Sequence, residues 1–289
     1  MNKVYTFEEL KNSTYSEKSH YLVVGHPISH SLSPLMHQTA LNHFGIDADY
    51  FALDLNPKQI GSFAAWCNKN SFLGCNITIP FKESLQPIVD QLGKDAKKVG
   101  VINTISKSNH TLMGHNTDVF GFRKPLENYM DFIEGQRVII FGTGGASKAV
   151  RAALIQCDAE ELVFVSRSPI KNQVNSTGVY TETVDYSQWQ DYADEASAFI
   201  NTTPVGMLPD NPNILVQTED AFYLKNKLCY DLIYNPQETP FLKLAKQQNA
   251  KTLNGLDMLI YQGSKSFEIW TGNTFPVDKI RSVLDQYFE

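Results

Sequence analysis

Residues Val138–Ala149, VIIFGTGGASKA, join an apolar run to a glycine-rich turn and then to a segment of good helix formers. A continuous apolar run such as Val138–Phe141 is typical of a strand buried on both faces of a parallel sheet. The glycines permit a tight turn, and the following helix directs its positive N-terminal end at an anion. The stretch therefore predicts the phosphate-binding part of a dinucleotide-binding βαβ unit, although Ser147 stands where a third glycine is expected. A tight turn that binds nothing is the alternative.

The composition is that of a globular protein with two domains. The chain has 289 residues, 42% of them hydrophobic and 19% charged. A formal net charge of −6 argues against general binding to nucleic acid or to anionic membranes. The four cysteines have no CxxC pair and no zinc-ligand spacing, which predicts reduced, mostly buried thiols in a cytoplasmic protein. We also expect no signal peptide, since Met1–His20 is polar, and no membrane span.

Strands and helices alternate along the chain in two series, which predicts an α/β fold with mainly parallel sheets. The first series contains predicted strands at Tyr21–Gly25, Asp49–Leu55 and Leu73–Ile79, and a hairpin around Lys107–His110. Its predicted helices are Pro57–Asn68 and a helix that Ser33 caps, that Pro34 begins and that runs to Phe44. The second series contains predicted strands at Val138–Phe141, Leu162–Ser166, Val179–Val184, Ala198–Thr202 and Leu228–Tyr234. Two amphipathic helices, Leu256–Thr271 and Val277–Phe288, follow and are expected to pack back on the first domain. The predicted domains are therefore residues 1–118 with 256–289, and residues 119–255.

The stretch Asn76–Lys82, NITIPFK, places a lysine after the third predicted strand. Asn76 and Thr78 have the same strand parity, so both are expected to face one cleft. Pro80 is predicted to begin a helix that runs to about Leu92 and holds Lys82 in its first turn. An ammonium group there opposes the positive helix end, which is unfavourable and suggests a function. Asp118, at the end of the same domain, is a candidate partner, and an ordinary surface lysine is the alternative.

The loop that follows the first predicted strand carries serines and histidines. Ser31 and Ser33 are placed to offer hydroxyls and helix N-terminal amides to a carboxylate, because ligands of α/β proteins bind at the carboxyl ends of strands. Four histidines in or near this loop raise the question of a metal site: His26, His30, His37 and His43. His37 and His43 do not share a helix face, and no HExxH motif accompanies them. We therefore predict no metal and expect packing or surface histidines.

The cofactor preference depends on the end of the second strand of the later series. An NAD-binding unit usually has Asp or Glu there, to bind the ribose diol. Here the sequence is Ser166-Arg167-Ser168, followed by Lys171, with no carboxylate. An arginine fork and hydroxyl groups suit a 2′-phosphate, so the sequence favours NADP over NAD. A solvated basic turn is the alternative.

Nine stretches of the chain resemble the shikimate dehydrogenase family, in family order over roughly residues 21–288. They are GHPISHSLSP (Gly25–Pro34), NITIPFK (Asn76–Lys82), VINT (Val101–Thr104), HNTD (His115–Asp118), GTGGAS (Gly142–Ser147), SRS (Ser166–Ser168), NTTPVGM (Asn201–Met207), DLIYNP (Asp231–Pro236) and NGLDMLIYQG (Asn254–Gly263). The resemblance implies an enzyme that interconverts 3-dehydroshikimate and shikimate with NADP. It also implies an N-terminal α/β substrate domain, a Rossmann-like NADP domain, and C-terminal helices that return to the first domain.

The resemblance also implies roles for single residues. Lys82 would be the acid/base, paired with Asp118. The substrate would contact Ser31, Ser33, Thr78, Lys82, Asn103, Asp118, Tyr234 and Gln262. The cofactor would contact Gly142, Thr143, Gly144, Gly145, Ala146, Ser166, Arg167, Ser168, Lys171, Leu232 and Gly255.

The chain departs from the family pattern at three places. Ser166 and Ser168 stand where Asn and Thr are usual, Val119 replaces a glycine, and the first twenty residues have no counterpart that we can place. Two other functions remain open: a quinate/shikimate dehydrogenase of broader specificity, and a non-catalytic NADP-sensing protein. A methyltransferase is disfavoured because it would normally need an acid near Ser166. The expected partners are the small-molecule substrate only, with no nucleic acid and no membrane, and the chain is expected to be a monomer or a homodimer.

Overall fold

The computed structural model describes residues 4–14, 17–69, 71–169, 178–207 and 211–288. The chain divides into two compact units. Unit 1 comprises residues 1–117 and 260–289, and unit 2 comprises residues 118–259. Within the described residues, no helix is both long enough and apolar enough to span a membrane.

Unit 1 begins with a strand and a short helix that the sequence analysis did not predict. Its elements, in chain order, are β1 (Val4–Thr6), α1 (Phe7–Lys11), β2 (His20–Gly25), α2 (Ser33–Phe44), β3 (Asp49–Asp54), α3 (Ile60–Trp66), β4 (Phe72–Ile77), β5 (Gln91–Leu92), α4 (Lys94–Val99), β6 (Thr104–Ser108) and β7 (Thr111–His115). Unit 2 and the C-terminal segment contain α5 (Asp118–Leu126), β8 (Arg137–Phe141), α6 (Gly145–Gln156), β9 (Glu161–Val165), β10 (Tyr180–Val184), α7 (Gln190–Ala193), β11 (Ala196–Asn201), β12 (Leu228–Asp231), α8 (Pro240–Gln247), β13 (Lys251–Leu253), α9 (Leu256–Thr271) and α10 (Val277–Phe288).

The sheet of unit 1 has seven strands among the described residues, in the order β1-β3-β2-β4-β6-β7-β5. The pairs β1/β3, β2/β3 and β2/β4 are parallel, whereas β4/β6 and β6/β7 are antiparallel. The predicted hairpin is β6 and β7, and Asn109 in its turn has φ of 55°. Because β2 and β4 are parallel neighbours, the loops that follow them lie at the same edge of the sheet.

The N-terminal β1 and α1 close one edge of this sheet. β1 pairs with β3 from Val4↔Ala52 to Thr6↔Asp54. Thr6 caps α1 through a capping box, in which its hydroxyl accepts from the Glu9 amide and its own amide donates to the Glu9 carboxylate. The sequence pattern T-x-x-E was the local sign of this helix. A strand of three residues is too short to give a periodic pattern, which is why it was missed.

The sheet of unit 2 is parallel throughout its six described strands, in the order β10-β9-β8-β11-β12-β13. The apolar run predicted from Val138 forms β8, near the centre of this sheet, and Val138–Phe141 is fully buried. Chain order reverses direction at β8, so the loops after β8 and β11 form the crevice in which doubly wound sheets bind ligands. The predicted α/β fold class is confirmed.

The helix predicted from Pro80 to about Leu92 is wrong. The segment contains successive turns, a 3-10 helix at Gln86–Ile88 and the strand β5. The carbonyl of Lys82 accepts from the amide of Ile102, 3.0 Å away, instead of from the residue four positions on. Pro87 also lacks the amide that a helix would use there. Lys82 is therefore not in the first turn of a helix, and its ammonium group does not oppose a helix dipole.

The two C-terminal helices have the predicted bounds and return to unit 1, as expected. Trp270 of α9 donates from Nε1 to the carbonyl of Ile105 at 3.0 Å, and its ring stacks on Tyr21 at 4.7 Å. Ser266 of the same helix bonds to Asn76 of β4. Helix α10 packs against α2. Residues more than 180 positions apart in the chain thus complete one core.

Candidate active site

The loop after β2 brings the two predicted carboxylate-binding serines together. Ser33 begins α2, is buried, and donates its amide to the Ser31 hydroxyl at 3.3 Å. Pro34 occupies the first turn of the helix. The Ser33 side chain is close enough to the Tyr50 hydroxyl to lower its pKa slightly against the larger raising effect of burial. The amides at the start of this twelve-residue helix and the Ser31 hydroxyl can together receive an anion.

The loop after β4 lies beside it. The amide of Thr78 donates to the carbonyl of Val24 at 2.9 Å. The amide of His26 donates to the carbonyl of Ile79 at 3.0 Å. A Cβ on Gly25 would lie 2.7 Å from Cγ2 of Thr78, so the two loops are in close contact. Thr78 and Lys82 are both half-buried. The structure therefore places Ser31, Ser33 and Thr78 at one edge of the unit 1 sheet, with Lys82 on the loop that follows.

A buried network of neutral polar groups lies beneath this edge. The Tyr50 hydroxyl donates to Oδ1 of Asn76 at 2.7 Å, and Nδ2 of Asn76 donates to Ser266 at 2.8 Å and to Thr104 at 3.1 Å. Thr104 and Ser266 bond to each other at 2.8 Å. Asn76 is only 5% exposed, so the expectation that it faces a cleft with Thr78 is wrong. Its amide is consumed by the network.

Asn103 connects this network to the start of unit 2 along the chain. Its Oδ1 accepts from the amide of Thr117 at 2.7 Å and from the Thr104 hydroxyl at 3.1 Å, and its Nδ2 donates to the Thr117 hydroxyl at 2.9 Å. Asp118, the next residue, begins α5 and is buried. The hydrogen bonds of Asn103 thus fix the backbone directly before Asp118, the predicted partner of Lys82.

Gln262 lies on α9 in unit 1 and is half-buried. Its carbonyl accepts from the Ser266 hydroxyl at 3.1 Å, one helical turn later. The network therefore also reaches the backbone of this predicted substrate residue.

The four histidines in or near the loop after β2 are packing or surface residues, as expected. His37 is buried against aromatic rings and stacks on Tyr50 at a centroid distance of 4.3 Å. Burial lowers the pKa of His37 to about 3, so the ring is neutral in ordinary buffers. His26 is exposed and bonds through Nδ1 to Asp54 at 2.5 Å. Among the described residues no group of three or more His, Cys, Asp or Glu side chains could hold a metal ion.

In unit 2 the glycine-rich turn after β8 has the geometry of an anion cradle. Gly142 has φ of +104°, a conformation that side chains rarely adopt, and a Cβ there would lie 2.7 Å from the Thr202 hydroxyl. Gly144 is the N-cap of α6, and the space around its Cβ position is open. Ser147, in place of the third glycine, is buried and donates to the carbonyl of Gly144 at 2.6 Å. The residues present therefore fit a bound pyrophosphate, with free helix N-terminal amides and no acidic side chain in the first turn.

The residues after β9 form the second part of this cofactor site. Ser166 is buried, its hydroxyl accepts from the Ser168 amide at 3.2 Å, and it lies 3.4 Å from the Thr143 hydroxyl of the glycine turn. Arg167 is exposed and close enough to Tyr186 to affect it electrostatically. An exposed guanidinium on the residue between two serines suits a phosphate monoester. Lys171 lies outside the described residues.

The residues predicted on the nicotinamide side are in contact. A Cβ on Gly255 would lie 1.9 Å from the carbonyl oxygen of Leu232. The Gly255 amide donates to the carbonyl of Ile233 at 2.9 Å. No residue other than glycine fits there without a shift of the backbone. Tyr234 follows in the same loop and is half-buried.

Sequence analysis gave no role to Asp231, which precedes this loop. It is fully buried at the end of β12 and accepts hydrogen bonds from Asn201, Thr239 and the Ile233 amide. Burial raises its pKa to about 6, against the lowering effect of these hydrogen bonds. The sequence around Asp231 contains no pattern that indicates burial of this side chain.

A parallel doubly wound sheet with a glycine turn before a helix defines unit 2 as a dinucleotide-binding α/β domain. Comparison with known proteins then gives the family. A family model described as the shikimate dehydrogenase substrate binding domain matches residues 23–105, and one described as the shikimate 5′-dehydrogenase C-terminal domain matches residues 255–284. The shikimate dehydrogenase (NADP(+)) of Halothermothrix orenii is 35% identical over 261 residues, which cover 86% of this chain and 90% of that protein. The chain belongs to the shikimate dehydrogenase family.

Solved structures agree with this assignment. A shikimate 5-dehydrogenase from Listeria monocytogenes, in complex with shikimate and NAD, has a TM-score of 0.82 at 29% identity. The superposition covers 93% of this chain and 96% of that one. The enzyme from Thermus thermophilus, in complex with NADP(H) and shikimate, has a TM-score of 0.79 at 29% identity, with 93% and 99% covered. The family predicted from nine motifs is confirmed.

Proposed function

We propose that this chain catalyses the NADP-dependent, reversible reduction of 3-dehydroshikimate to shikimate, a step toward chorismate and the aromatic amino acids. The observation that carries the proposal is the match to NADP-dependent shikimate dehydrogenases over 86% of the chain. The chain is an oxidoreductase that acts on a secondary alcohol, and its cofactor is NADP. The non-catalytic alternative is disfavoured because Lys82 and Asp118 are both present.

The reaction needs a proton donor for the oxygen of the reduced carbon. When bound, the cofactor supplies the hydride. The ammonium group of Lys82 stabilises the negative charge that develops on the substrate oxygen and donates a proton to it, while Asp118 pairs with Lys82 and holds it in place. In the direction of oxidation, Lys82 receives the proton.

The substrate is held by both its charged and its neutral groups. The Ser31 and Ser33 hydroxyls and the first amides of α2 bind the carboxylate, since these donors converge at one edge of the sheet. Thr78, Asn103, Tyr234 and Gln262, together with Lys82 and Asp118, surround the ring substituents. Residues 1–118 and 256–289 form the substrate domain in this proposal.

The cofactor is held by residues 119–255. The amides and small side chains of Gly142, Thr143, Gly144, Gly145 and Ala146 bind the pyrophosphate. The 2′-phosphate is bound by Ser166, Arg167, Ser168 and Lys171, and the nicotinamide lies against Leu232 and Gly255. This assignment is supported by the open N-terminus of α6 and by the absence of an acid from Val165 to Ser168 in the sequence. We further propose a cytoplasmic enzyme that acts as a monomer or a homodimer.

The test is the absorbance of reduced nicotinamide during incubation of the purified chain with shikimate and NADP. We expect NADP reduction, with a larger kcat/KM for shikimate than for quinate and for NADP than for NAD. Comparable kcat/KM values for quinate would instead assign the broader quinate/shikimate specificity. Cofactor binding without turnover of either substrate would contradict the proposal and favour a sensing protein.

A further inference from the structure

Asp231 lies where three segments of unit 2 meet. It is the last residue of β12, between β11 and β13 in the sheet, and it has no exposed surface. A carboxylate in such a place is costly unless its oxygens are hydrogen bonded. Here both are. Oδ1 accepts from Nδ2 of Asn201 and from the Ile233 amide, each at 3.0 Å, and Oδ2 accepts from the Thr239 hydroxyl at 2.7 Å.

Each of these bonds holds a different piece of backbone. Asn201 ends β11, and its side chain also binds the carbonyl of Val205 and both the amide and the hydroxyl of Thr203. Thr239 is the N-cap of α8, and its hydroxyl accepts from the Leu242 amide at 3.3 Å. The carboxylate therefore links the loop after β11 to both ends of the loop between β12 and α8.

That second loop contains two of the proposed ligand-binding residues, Leu232 and Tyr234. It is anchored to Asp231 at Ile233 and again at Thr239, five residues after Tyr234 in the sequence. On its other side it lies against Gly255, whose Cα approaches the Leu232 carbonyl so closely that a Cβ would be 1.9 Å away. The start of the loop is thus held between a hydrogen-bonded carboxylate and a packed backbone.

We propose that Asp231, with Thr239 as its hydrogen-bond partner, is a positioning residue that sets the orientation of Tyr234 toward the substrate. The inference rests on the proposed function, because it takes shikimate as the ligand of Tyr234. Asp231 and Thr239 are both fully buried, so they act through the loop and not by contact with substrate.

The decisive variant is Thr239→Val, which keeps the shape of the side chain and removes the hydroxyl. Replacing Asp231 by Ala could prevent folding, since it leaves three buried donors without an acceptor. We expect Thr239→Val to raise the KM for shikimate by about tenfold, with kcat/KM falling and the KM for NADP changed less than twofold. Thr239→Ser restores the hydroxyl and should return the KM to within about twofold of the wild type.

The matched control is Thr271→Val in unit 1. The Thr271 hydroxyl also donates to an acceptor, the carbonyl of Phe267, and accepts a backbone amide, that of Asn273. Its removal should lower the melting temperature while leaving the KM for shikimate within about twofold of the wild type. A KM increase in this control equal to that of Thr239→Val would overturn the inference, because general destabilisation would then explain both.

A double-mutant cycle with Tyr234→Phe tests the route of the effect. If Thr239 acts through Tyr234, the two substitutions are not additive, and the double variant has about the KM of Tyr234→Phe alone. Additive effects, or no change of KM in Thr239→Val, would overturn the inference and leave the proposed function intact. A wild-type chain without activity on shikimate would overturn the proposed function itself, and this inference with it.

Discussion

The two units both bury a polar network beneath the carboxyl ends of their parallel strands, but they build it from different groups. Unit 1 uses amides and hydroxyls of Asn76, Thr104 and Ser266, with the Tyr50 hydroxyl at one end. Unit 2 uses a carboxylate, Asp231, surrounded by donors. Burial raises the pKa of Tyr50 well above its usual value, so the first network stays neutral, whereas the second carries a group with a pKa of about 6.

The difference matters for what each unit has to hold. A neutral network keeps its hydrogen bonds at any pH at which the protein is used, and it lies beneath the residues to which we assign substrate binding and proton transfer. An ionisable network gives stronger, charge-assisted bonds to two loops, at the cost of sensitivity to pH. Lys82 and the carboxylate-binding serines thus belong to unit 1, whereas the cofactor-binding residues, Asp118 and the loop that carries Tyr234 belong to unit 2.

The largest expected effect tests the assignment of proton transfer to Lys82 in unit 1. Lys82→Met should lower kcat about a hundredfold, or about 2.7 kcal/mol, while the KM for shikimate stays similar, because the stabilising charge is needed mainly in the transition state. The measurement is steady-state NADP reduction. Lys97→Met, on an exposed residue of α4, is the control and should leave kcat unchanged. An unchanged kcat in Lys82→Met would remove Lys82 from the mechanism.

Cofactor choice should depend on unit 2. Arg167→Ala should lower kcat/KM with NADPH by about thirtyfold, because a guanidinium–phosphate contact is a charge-assisted hydrogen bond. With NADH the loss should be less than about twofold, since that cofactor has no 2′-phosphate. Paired assays with the two cofactors measure the ratio directly. Equal losses with both would refute the assignment of Arg167.

The neutral network should be sensitive to the loss of one hydroxyl. Thr104→Val leaves buried groups of Asn76, Asn103 and Ser266 with fewer partners and should cost about 1–3 kcal/mol of stability. The loss should be the same at pH 5 and pH 7, as followed by chemical denaturation. Thr104→Ser, which keeps the hydroxyl, should lose less. A strong pH dependence of the loss would break the contrast between the two networks.

The smallest effect is the pH dependence of unit 2. The pKa of Asp231 is raised from 3.8 to about 6 in the folded chain, so the folded state binds the proton more tightly than the unfolded state. The stabilisation from this tighter proton binding is therefore complete below the pKa of the unfolded chain, 3.8, and is lost as the pH rises through the folded pKa of about 6. When the pH falls from 7 to 5, the free energy of unfolding of the wild type should rise by about 1 kcal/mol relative to that of Asp231→Asn. Parallel stability curves for the two proteins would contradict this assignment.

Much of the fold follows from sequence patterns, and the errors have physical causes. Val138–Phe141 and the two C-terminal helices were predicted correctly because long periodic or continuous apolar patterns are dominated by burial. The helix predicted after Pro80 was wrong because the amide of Ile102 takes the carbonyl of Lys82, a pairing between distant residues. Local propensity gives no information about such a partner.

The candidate site shows the same limit. The motifs located Ser31, Ser33, Thr78, the glycine turn and Ser166 at strand ends, where the structure has them. The networks beneath were not predictable, because Asn76 and Ser266 are 190 positions apart and neither lies in a pattern that indicates contact. Asp231 was part of a recognised motif, but only the structure reveals that its carboxylate has no exposed surface.

The strand β1 has a consequence for handling the protein. It covers the outer edge of β3, and Phe7 and Leu10 of α1 fill part of the core beneath. Deleting residues 1–19 would leave the backbone groups of Ala52–Asp54 open along one side and would uncover the ring of Phe63, against which Phe7 packs. An open strand edge beside apolar surface is a template for pairing between molecules. Trimming the N-terminus for crystallisation would therefore risk insoluble protein, and a shortened chain that stays in solution is expected to pair edge to edge.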